Sequence, residues 1–134
     1  LPELKLVADY GHWTCVTETA PGGCPLLAAA LLDICPHVRH VHARVGYENG
    51  PQVSDPRAPE WRAHTEAFEG WWDAIWEAQR RRGDPLSTLT PEHGPRPYQP
   101  ALPFTQQPVA DIEEVNLWLG QRQVDRFLQG SATK

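Results

Sequence analysis

The order in which short apolar segments alternate with helical ones is the feature that most constrains the fold of this chain. The pattern predicts strands at residues 4–9, 38–42 and 86–91, and helices at 25–34, from 60 to about 82, and from 111 onward. Apolar strands separated by helices are typical of βαβ units, whose parallel sheet is buried between helices. The sequence therefore predicts an α/β fold with parallel strands.

The ends and faces of the predicted helices carry recognisable signals. Pro25 suits a first helical turn, Gly83 suits the end of the long helix, and Asp111 suits an N-cap. The long helix also repeats large side chains at three- and four-residue steps, which predicts one buried stripe. The stripe consists of Trp61, Thr65, Phe68, Trp72, Ile75 and Trp76, and the last helix is predicted to bury Ile112, Val115, Leu119 and Phe127.

Composition narrows the class of protein. The 134 residues suit one domain at most, and five of the 14 prolines fall within residues 93–110, which predicts a long irregular loop. The formal net charge of −5 argues against nucleic acid as a partner. No apolar run reaches the roughly 18 residues of a membrane helix, so we expect no membrane partner. Cys15, Cys24 and Cys35 share no CxxC spacing, which predicts reduced thiols in a cytoplasmic protein, with a disulfide between two of them as the alternative.

Three polar side chains stand where the predicted strands end. Asp9, His42 and Glu92 each occupy the carboxyl end of a strand, and these ends meet along one edge of a parallel sheet. Carboxylate and imidazole groups together form a mixed site for a divalent ion such as Mn²⁺, Co²⁺, Mg²⁺ or Zn²⁺. By residue type alone, each of the three also suits a helix cap or a hydrogen-bonding loop position. Both interpretations stay open at this point.

The sequence around these residues resembles the sugar phosphate isomerase/epimerase family, which consists of xylose-isomerase-like TIM barrels. The resemblance is carried by residues 9–13 (DYGHW), 40–46 (HVHARVG) and 90–95 (TPEHGP), and by the loops 50–61 (GPQVSDPRAPEW) and 102–111 (LPFTQQPVAD). It extends from residue 4 to about residue 128. It implies that residues 1–134 form a single partial domain, the C-terminal half of a (β/α)₈ barrel.

The resemblance also implies a set of site residues and a reaction. Asp9, His42 and Glu92 match three of the four metal ligands of the family, and Glu92 would also be a catalytic acid/base. The implied reaction is the isomerisation or epimerisation of a sugar or sugar phosphate. It proceeds by proton transfer beside a carbonyl, through an enediolate.

Three further residues would bind the substrate on this interpretation. His12 resembles the substrate-binding His of the family. Arg44, two residues after the ligand His, would grip a substrate oxygen or phosphate. Trp13 would stack on a sugar ring, and a buried core position is the alternative that residue type favours.

The chain departs from the family at its beginning. The first ligand Glu of the family lies on an earlier strand that this chain does not have, and the chain starts at Leu1 and contains no Met. A (β/α)₈ barrel needs about 250 residues to close. We therefore expect a fragment of a larger barrel, or a half completed by a complementary N-terminal half or by a second copy. The isolated chain is expected to be a poor catalyst.

Two other functions remain as alternatives. A non-catalytic half-barrel or interaction module would keep the barrel sequence without a working site. A metal-dependent abasic-site endonuclease on the same barrel is disfavoured because the chain is acidic and lacks a basic stripe. Metal binding separates an isomerase from a non-catalytic module, and cleavage of abasic DNA separates it from a nuclease.

Overall fold

The computed structural model describes residues 3–132, so Leu1 lies outside the described part of the chain. In chain order the elements are β1 (Leu6–Ala8), α1 (Tyr10–Val16), α2 (Pro25–Ile34), β2 (Val38–Ala43), α3 (Arg62–Arg82), β3 (Thr88–Pro91) and α4 (Ile112–Ala132). Single turns of 3₁₀ helix at Cys35–His37 and Pro59–Trp61 precede β2 and α3. The predicted α/β class is confirmed.

The three strands form one parallel sheet in the order β1-β2-β3, with β2 at its centre. Val7 pairs with His40, and His42 pairs with Thr90. Because side chains alternate along a strand, these four residues share one face of the sheet. That face is open, since Val7 is 56% exposed and Thr90 is also exposed.

The opposite face of the sheet is covered by helices. Val41 and Ala43 of β2 are fully buried there, and α3 packs against β2 while α4 packs against β3. The predicted stripe of α3 supplies much of this core, because Phe68, Trp72 and Ile75 are fully buried. Burying such side chains stabilises a fold by roughly 1.5–3 kcal/mol each. The described part therefore consists of a sheet with helices on one face and a polar open face on the other.

The predicted helix ends are found where the sequence places them. Pro25 occupies the first turn of α2, and Gly83 ends α3 with a left-handed φ of 76°. Asp111 Oδ1 accepts hydrogen bonds from the backbone N–H groups of Glu113 and Glu114 at 2.9 and 3.1 Å. It thereby satisfies two amides that the start of a helix leaves without partners.

The short helix α1 and the bounds of two strands differ from the sequence prediction. Strand β1 spans Leu6–Ala8 rather than residues 4–9. The short helix α1 begins directly after β1, in a segment for which no helix was predicted. Its seven residues contain no acidic side chain in the first turn, and Asp9 makes no side-chain cap, so the usual signals are missing. The third strand begins at Thr88 rather than at residue 86, because Leu86 is 72% exposed and lies outside the sheet.

The cysteines, the helices and the proline-rich segment were the subject of further predictions from composition. Cys15, Cys24 and Cys35 are all free thiols. None of the helices within residues 3–132 combines the length and the apolar character that crossing a membrane requires. The proline-rich segment 93–110 is irregular, as predicted, and contains one isolated bridge between Ala101 and Pro108.

Candidate metal centre

The strand order brings three potential ligands together at the carboxyl edge of the sheet. Asp9 follows β1, His42 lies on the open face of β2, and Glu92 follows β3. One ligand atom from each of these residues lies within 4.8 Å of the other two. Each of the three side chains is partly buried, so the cluster is sheltered while a solute can still reach it. This separation is compatible with a single cation held at about 2.0–2.6 Å from each ligand.

His42 and Glu92 form the more exposed side of the cluster. His42 Nδ1 lies 2.9 Å from Glu92 Oε2, and the two side chains are 34% and 36% exposed. This buried oxygen accepts no hydrogen bond from the described residues. The backbone N–H of Glu92 donates to Ala43 at 3.0 Å, which extends the β2–β3 pairing past the end of β3 and fixes the position of Glu92.

Asp9 forms the more buried side of the cluster. Its side chain is 17% exposed, and its Oδ2 accepts a short hydrogen bond from the guanidinium of Arg44. His12 Nε2 lies 3.2 Å from the same oxygen. The other oxygen, Oδ1, is buried and accepts no hydrogen bond from any side chain or amide of residues 3–132.

Asp9 Oδ1 and Glu92 Oε2, which accept no hydrogen bond from the described residues, provide a test of whether the cluster suits a cation. Buried carboxylate oxygens without a partner are costly, and structures normally satisfy such groups. A divalent cation would satisfy both oxygens and outweigh the repulsion between the two negative charges. The donor set of two carboxylates and one imidazole is also one that Mn²⁺, Co²⁺ and Zn²⁺ accept. The residues present therefore fit a divalent cation.

The predicted substrate-binding residues lie beside Asp9 in two different environments. His12 and Trp13 are carried by α1, where the His12 side chain is 50% exposed and Trp13 is 49% exposed. Arg44 is only 4% exposed, and its guanidinium contacts Asp9 and His12. A solute can therefore reach His12 and Trp13, whereas the side chain of Arg44 is buried next to Asp9 and His12.

His40 lies on the open face of the sheet beside the cluster and contacts β3 through both ring nitrogens. Its Nδ1 lies 2.8 Å from the hydroxyl of Thr88, and its Nε2 lies 3.1 Å from the hydroxyl of Thr90. The His40 and His42 rings meet edge to face with centroids 5.2 Å apart. Burial and the neighbouring His42 lower the pKa of His40. The lowered pKa favours the neutral form of His40, whose ring packs against that of His42.

Two glycines allow α1 to approach the loop after β2 closely. A Cβ atom on Gly11 would lie 2.5 Å from the carbonyl oxygen of Pro51, and one on Gly46 would lie 2.8 Å from the Cα of Gly11. Real Cβ atoms do not approach other atoms so closely. The absence of side chains at these positions lets the first turn of α1 pack on the loop after β2, which sets the position of Asp9 and His12.

Sequence reasoning did not identify three residues that organise the loops around the site. Tyr98 places its ring under the Arg44 guanidinium, 4.8 Å from the centroid. Gln52 binds Gly94 through both its amide atoms, at 2.7 and 3.0 Å, and also donates to Gln99 at 3.2 Å. The three residues lie in irregular segments, where prolines indicate a loop but no periodicity indicates which side chain turns inward.

The comparisons with known proteins identify no relative. No family model, no curated protein and no solved structure matches the chain. A functional assignment therefore depends on the chemistry of the cluster and on the motifs of the sequence.

Proposed function

We propose that the chain is part of a metal-dependent sugar or sugar-phosphate isomerase or epimerase. The observation that carries the proposal is the convergence of Asp9, His42 and Glu92 within 4.8 Å at the carboxyl edge of a parallel sheet. In α/β proteins with parallel strands, this edge is where substrates and cofactors bind. The resemblance of the surrounding motifs to the sugar phosphate isomerase/epimerase family supports the same assignment.

The architecture proposed for this function is the C-terminal half of a (β/α)₈ barrel. The polar open face of the sheet supports it, because barrel interiors are formed by one face of the sheet. Within the described residues, β1 and β3 each have one neighbouring strand. In the proposed barrel, further strands adjoin these edges, supplied by a complementary N-terminal half or by a second copy. The three free thiols suit the proposed cytoplasmic location.

The residues of this chain have separate roles in the proposed reaction. Asp9, His42 and Glu92 hold a divalent cation (Mn²⁺, Co²⁺, Mg²⁺ or Zn²⁺), which polarises the substrate carbonyl when bound. Glu92 accepts the proton from the carbon beside the carbonyl, and the C–H electron pair forms the enediolate. Return of this proton to the former carbonyl carbon, with transfer of the hydroxyl proton from one oxygen of the enediolate to the other, gives the isomer. An epimer requires a second acid on the opposite side of the substrate.

Accessible side chains on α1 orient the substrate in this proposal. His12 reaches the cluster beside Asp9 with half of its side chain exposed, and it donates a hydrogen bond to a sugar hydroxyl. Trp13, which is 49% exposed, offers the apolar ring surface on which a sugar stacks. Both residues are carried by the same short helix, α1, so they would contact the substrate from one side.

A thermal melt with and without millimolar Mn²⁺ tests the metal site. A ligand that binds only the folded state stabilises it by about 2.7 kcal/mol at a hundredfold excess over Kd, so the melting temperature should rise. His42→Ala should remove this response. His64→Ala is the matched control, because His64 forms a similar pair with Glu48 at 3.2 Å outside the cluster, and its response should equal that of the parent.

Proton exchange tests the reaction itself. A panel of ketoses and aldoses incubated in D₂O with the Mn²⁺-loaded chain should slowly acquire deuterium at the carbon beside the carbonyl, because the isolated chain holds Glu92 but is expected to be a poor catalyst. Glu92→Gln should abolish this incorporation. A chain that ignores Mn²⁺ in the melt would instead favour the non-catalytic module. Cleavage of abasic DNA by the loaded chain would point to the endonuclease.

A further inference from the structure

Arg44 has a position that a substrate-binding residue would not need. It follows β2 immediately, two residues after His42, and its side chain is 4% exposed. One guanidinium nitrogen contacts both Asp9 Oδ2 and His12 Nε2, the latter at 2.7 Å. Because an arginine NH₂ group carries two hydrogens, it can donate to both acceptors at once.

Tyr98 fixes the guanidinium from the other side. The Arg44 carbon Cζ lies 4.8 Å from the centre of the Tyr98 ring, which is a favourable cation–π distance. Gly94 makes room for the ring, since a Cβ there would lie 3.1 Å from Tyr98 Cδ2. A planar guanidinium can donate in its own plane while its face stacks on a ring, whereas an ammonium group cannot.

The two oxygens of Asp9 are therefore in different situations. Oδ2 accepts from Arg44, while Oδ1 is buried and accepts from no described donor. We propose that Arg44 is a positioning residue, which holds Oδ2 so that Oδ1 is presented to the cation shared with His42 and Glu92. This inference deepens the proposed function and depends on its metal site. It assigns Arg44 a role different from gripping the substrate.

Arg44 could affect metal binding in two ways, which predict opposite changes in metal affinity when Arg44 is removed. If the guanidinium competed with the cation for Asp9, its removal would raise the affinity for metal. If it positions Asp9, its removal lowers that affinity, because the carboxylate rotates and loses its orientation. Loss of a residue that orients a metal ligand typically costs 10–100-fold in metal affinity.

Calorimetric titration with Mn²⁺ on the full chain and its variants tests the positioning role. Arg44→Ala should bind Mn²⁺ at least tenfold more weakly, and millimolar guanidinium should restore affinity by filling the vacated space. Arg44→Lys should recover only part of the loss, since it keeps the charge but not the fork. Guanidinium rescue distinguishes positioning from a general loss of structure, which added guanidinium would not repair.

Two further variants complete the experiment. Arg82→Ala is the matched control, because Arg82 is also paired with a nearby carboxylate, Asp84. Arg82 donates to the carbonyl of Pro36 at the opposite end of β2. The Mn²⁺ affinity of this variant should therefore equal that of the parent. Tyr98→Leu removes the stacking without touching Asp9 and should weaken Mn²⁺ binding less than Arg44→Ala does. It remains informative even if Arg44→Ala does not fold.

The absorption spectrum of bound Co²⁺ gives a second readout. Without Arg44 holding Oδ2, Asp9 is expected to change its mode of coordination, and the visible bands of Co²⁺ should shift. Unchanged or tighter metal binding by Arg44→Ala, with an unchanged spectrum, would overturn the positioning role and leave the proposed function intact. A parent chain that binds neither Mn²⁺ nor Co²⁺ would overturn both.

Discussion

His93 places an imidazole where solvent does not reach it. The residue directly follows Glu92 and is 3% exposed, and neither ring nitrogen has a hydrogen-bond partner among the described residues. Its backbone is held firmly, because its N–H and C=O both bond to the side chain of Asn116, at 2.8 and 2.9 Å. Burial, followed by the positive charge of Arg44, lowers the pKa of His93 to about 4.

This lowered pKa predicts a loss of stability in mild acid. Below pH 6.5 the unfolded chain protonates His93, while the folded chain keeps it neutral until about pH 4. The free energy of unfolding should therefore fall as the pH decreases between these values, by about 3 kcal/mol in total, and should not depend on His93 above pH 6.5.

Urea unfolding at a series of pH values, in the presence of a chelator, measures this contribution. His93→Gln removes the titrating group while keeping a polar side chain of similar length. The difference in stability between the parent and His93→Gln should change by about 3 kcal/mol between pH 7 and pH 4. A difference that stays constant over this range would show that His93 titrates normally in the folded chain.

At the scale of elements, α3 and α4 are joined by a buried carboxylate. Glu69 of α3 is 2% exposed and accepts two hydrogen bonds from Arg122, at 2.6 and 2.9 Å, and one from Gln123 at 2.9 Å. Burial alone would raise the pKa of Glu69, but the bonds from Arg122 and Gln123 outweigh it and the pKa is lowered. The ionised form is therefore the one that joins the two helices.

Glu69→Gln should destabilise the chain at neutral pH by about 1–3 kcal/mol, because it removes charge-assisted hydrogen bonds at a buried position. Asp73→Asn is the matched control, since Asp73 joins the same two helices through Arg126 at 2.5 Å but is 52% exposed. Exposed pairs contribute about 0–1 kcal/mol.

The pH dependence gives the sign of the Glu69 effect. A lowered pKa in the folded chain means that the stabilisation is present above pH 4.5 and is lost as the pH falls through the folded-state value. The destabilisation by Glu69→Gln should therefore diminish in acid. Equal effects of Glu69→Gln and Asp73→Asn in urea unfolding at pH 7 would contradict the proposed importance of burial.

The elements differ in how far the sequence predicted them, and the reason is physical. Helix α3 is long enough for its large side chains to repeat over several turns, so the stripe from Thr65 to Trp76 predicted a face that the structure buries. Helix α1 has only seven residues, and its contacts are with residues distant in sequence: the Tyr10 hydroxyl donates to the carbonyl of Leu31 at 3.1 Å, and Gly11 closely approaches Pro51. A periodicity argument cannot detect such a contact.

At the scale of the whole molecule, the sequence predicted the metal cluster of the candidate site but not the loop residues around it. The alternation of strands and helices was sufficient to place Asp9, His42 and Glu92 at one edge of the sheet, because parallel strands present their carboxyl ends together. The ring of Tyr98 beneath Arg44 was not foreseen. Its position depends on the path of the irregular segment 93–110, which has no repeating pattern.

Strand β3 is an edge strand: its outer side has no neighbouring strand among the described residues. This exposed edge leads to a prediction about amide exchange. An apolar groove of about 510 Å³ runs along this edge, lined in part by Leu89, Val124 and Phe127. Glu92 N–H donates inward to Ala43 of β2. The two-residue repeat of a strand then turns the N–H of Thr90 inward as well and that of Leu89 outward.

Amide hydrogen exchange followed residue by residue should therefore separate these two neighbours. The Leu89 amide should exchange much faster than the Thr90 amide, and the amides of β2, which has a strand on each side, should be among the slowest. The comparison is internal, since Leu89 and Thr90 share the same strand and the same global stability. Equal protection of Leu89 and Thr90 would mean that another strand covers the outer edge of β3 in solution. A dilution series would then distinguish a second copy, whose protection of Leu89 weakens on dilution, from a cover within the same chain.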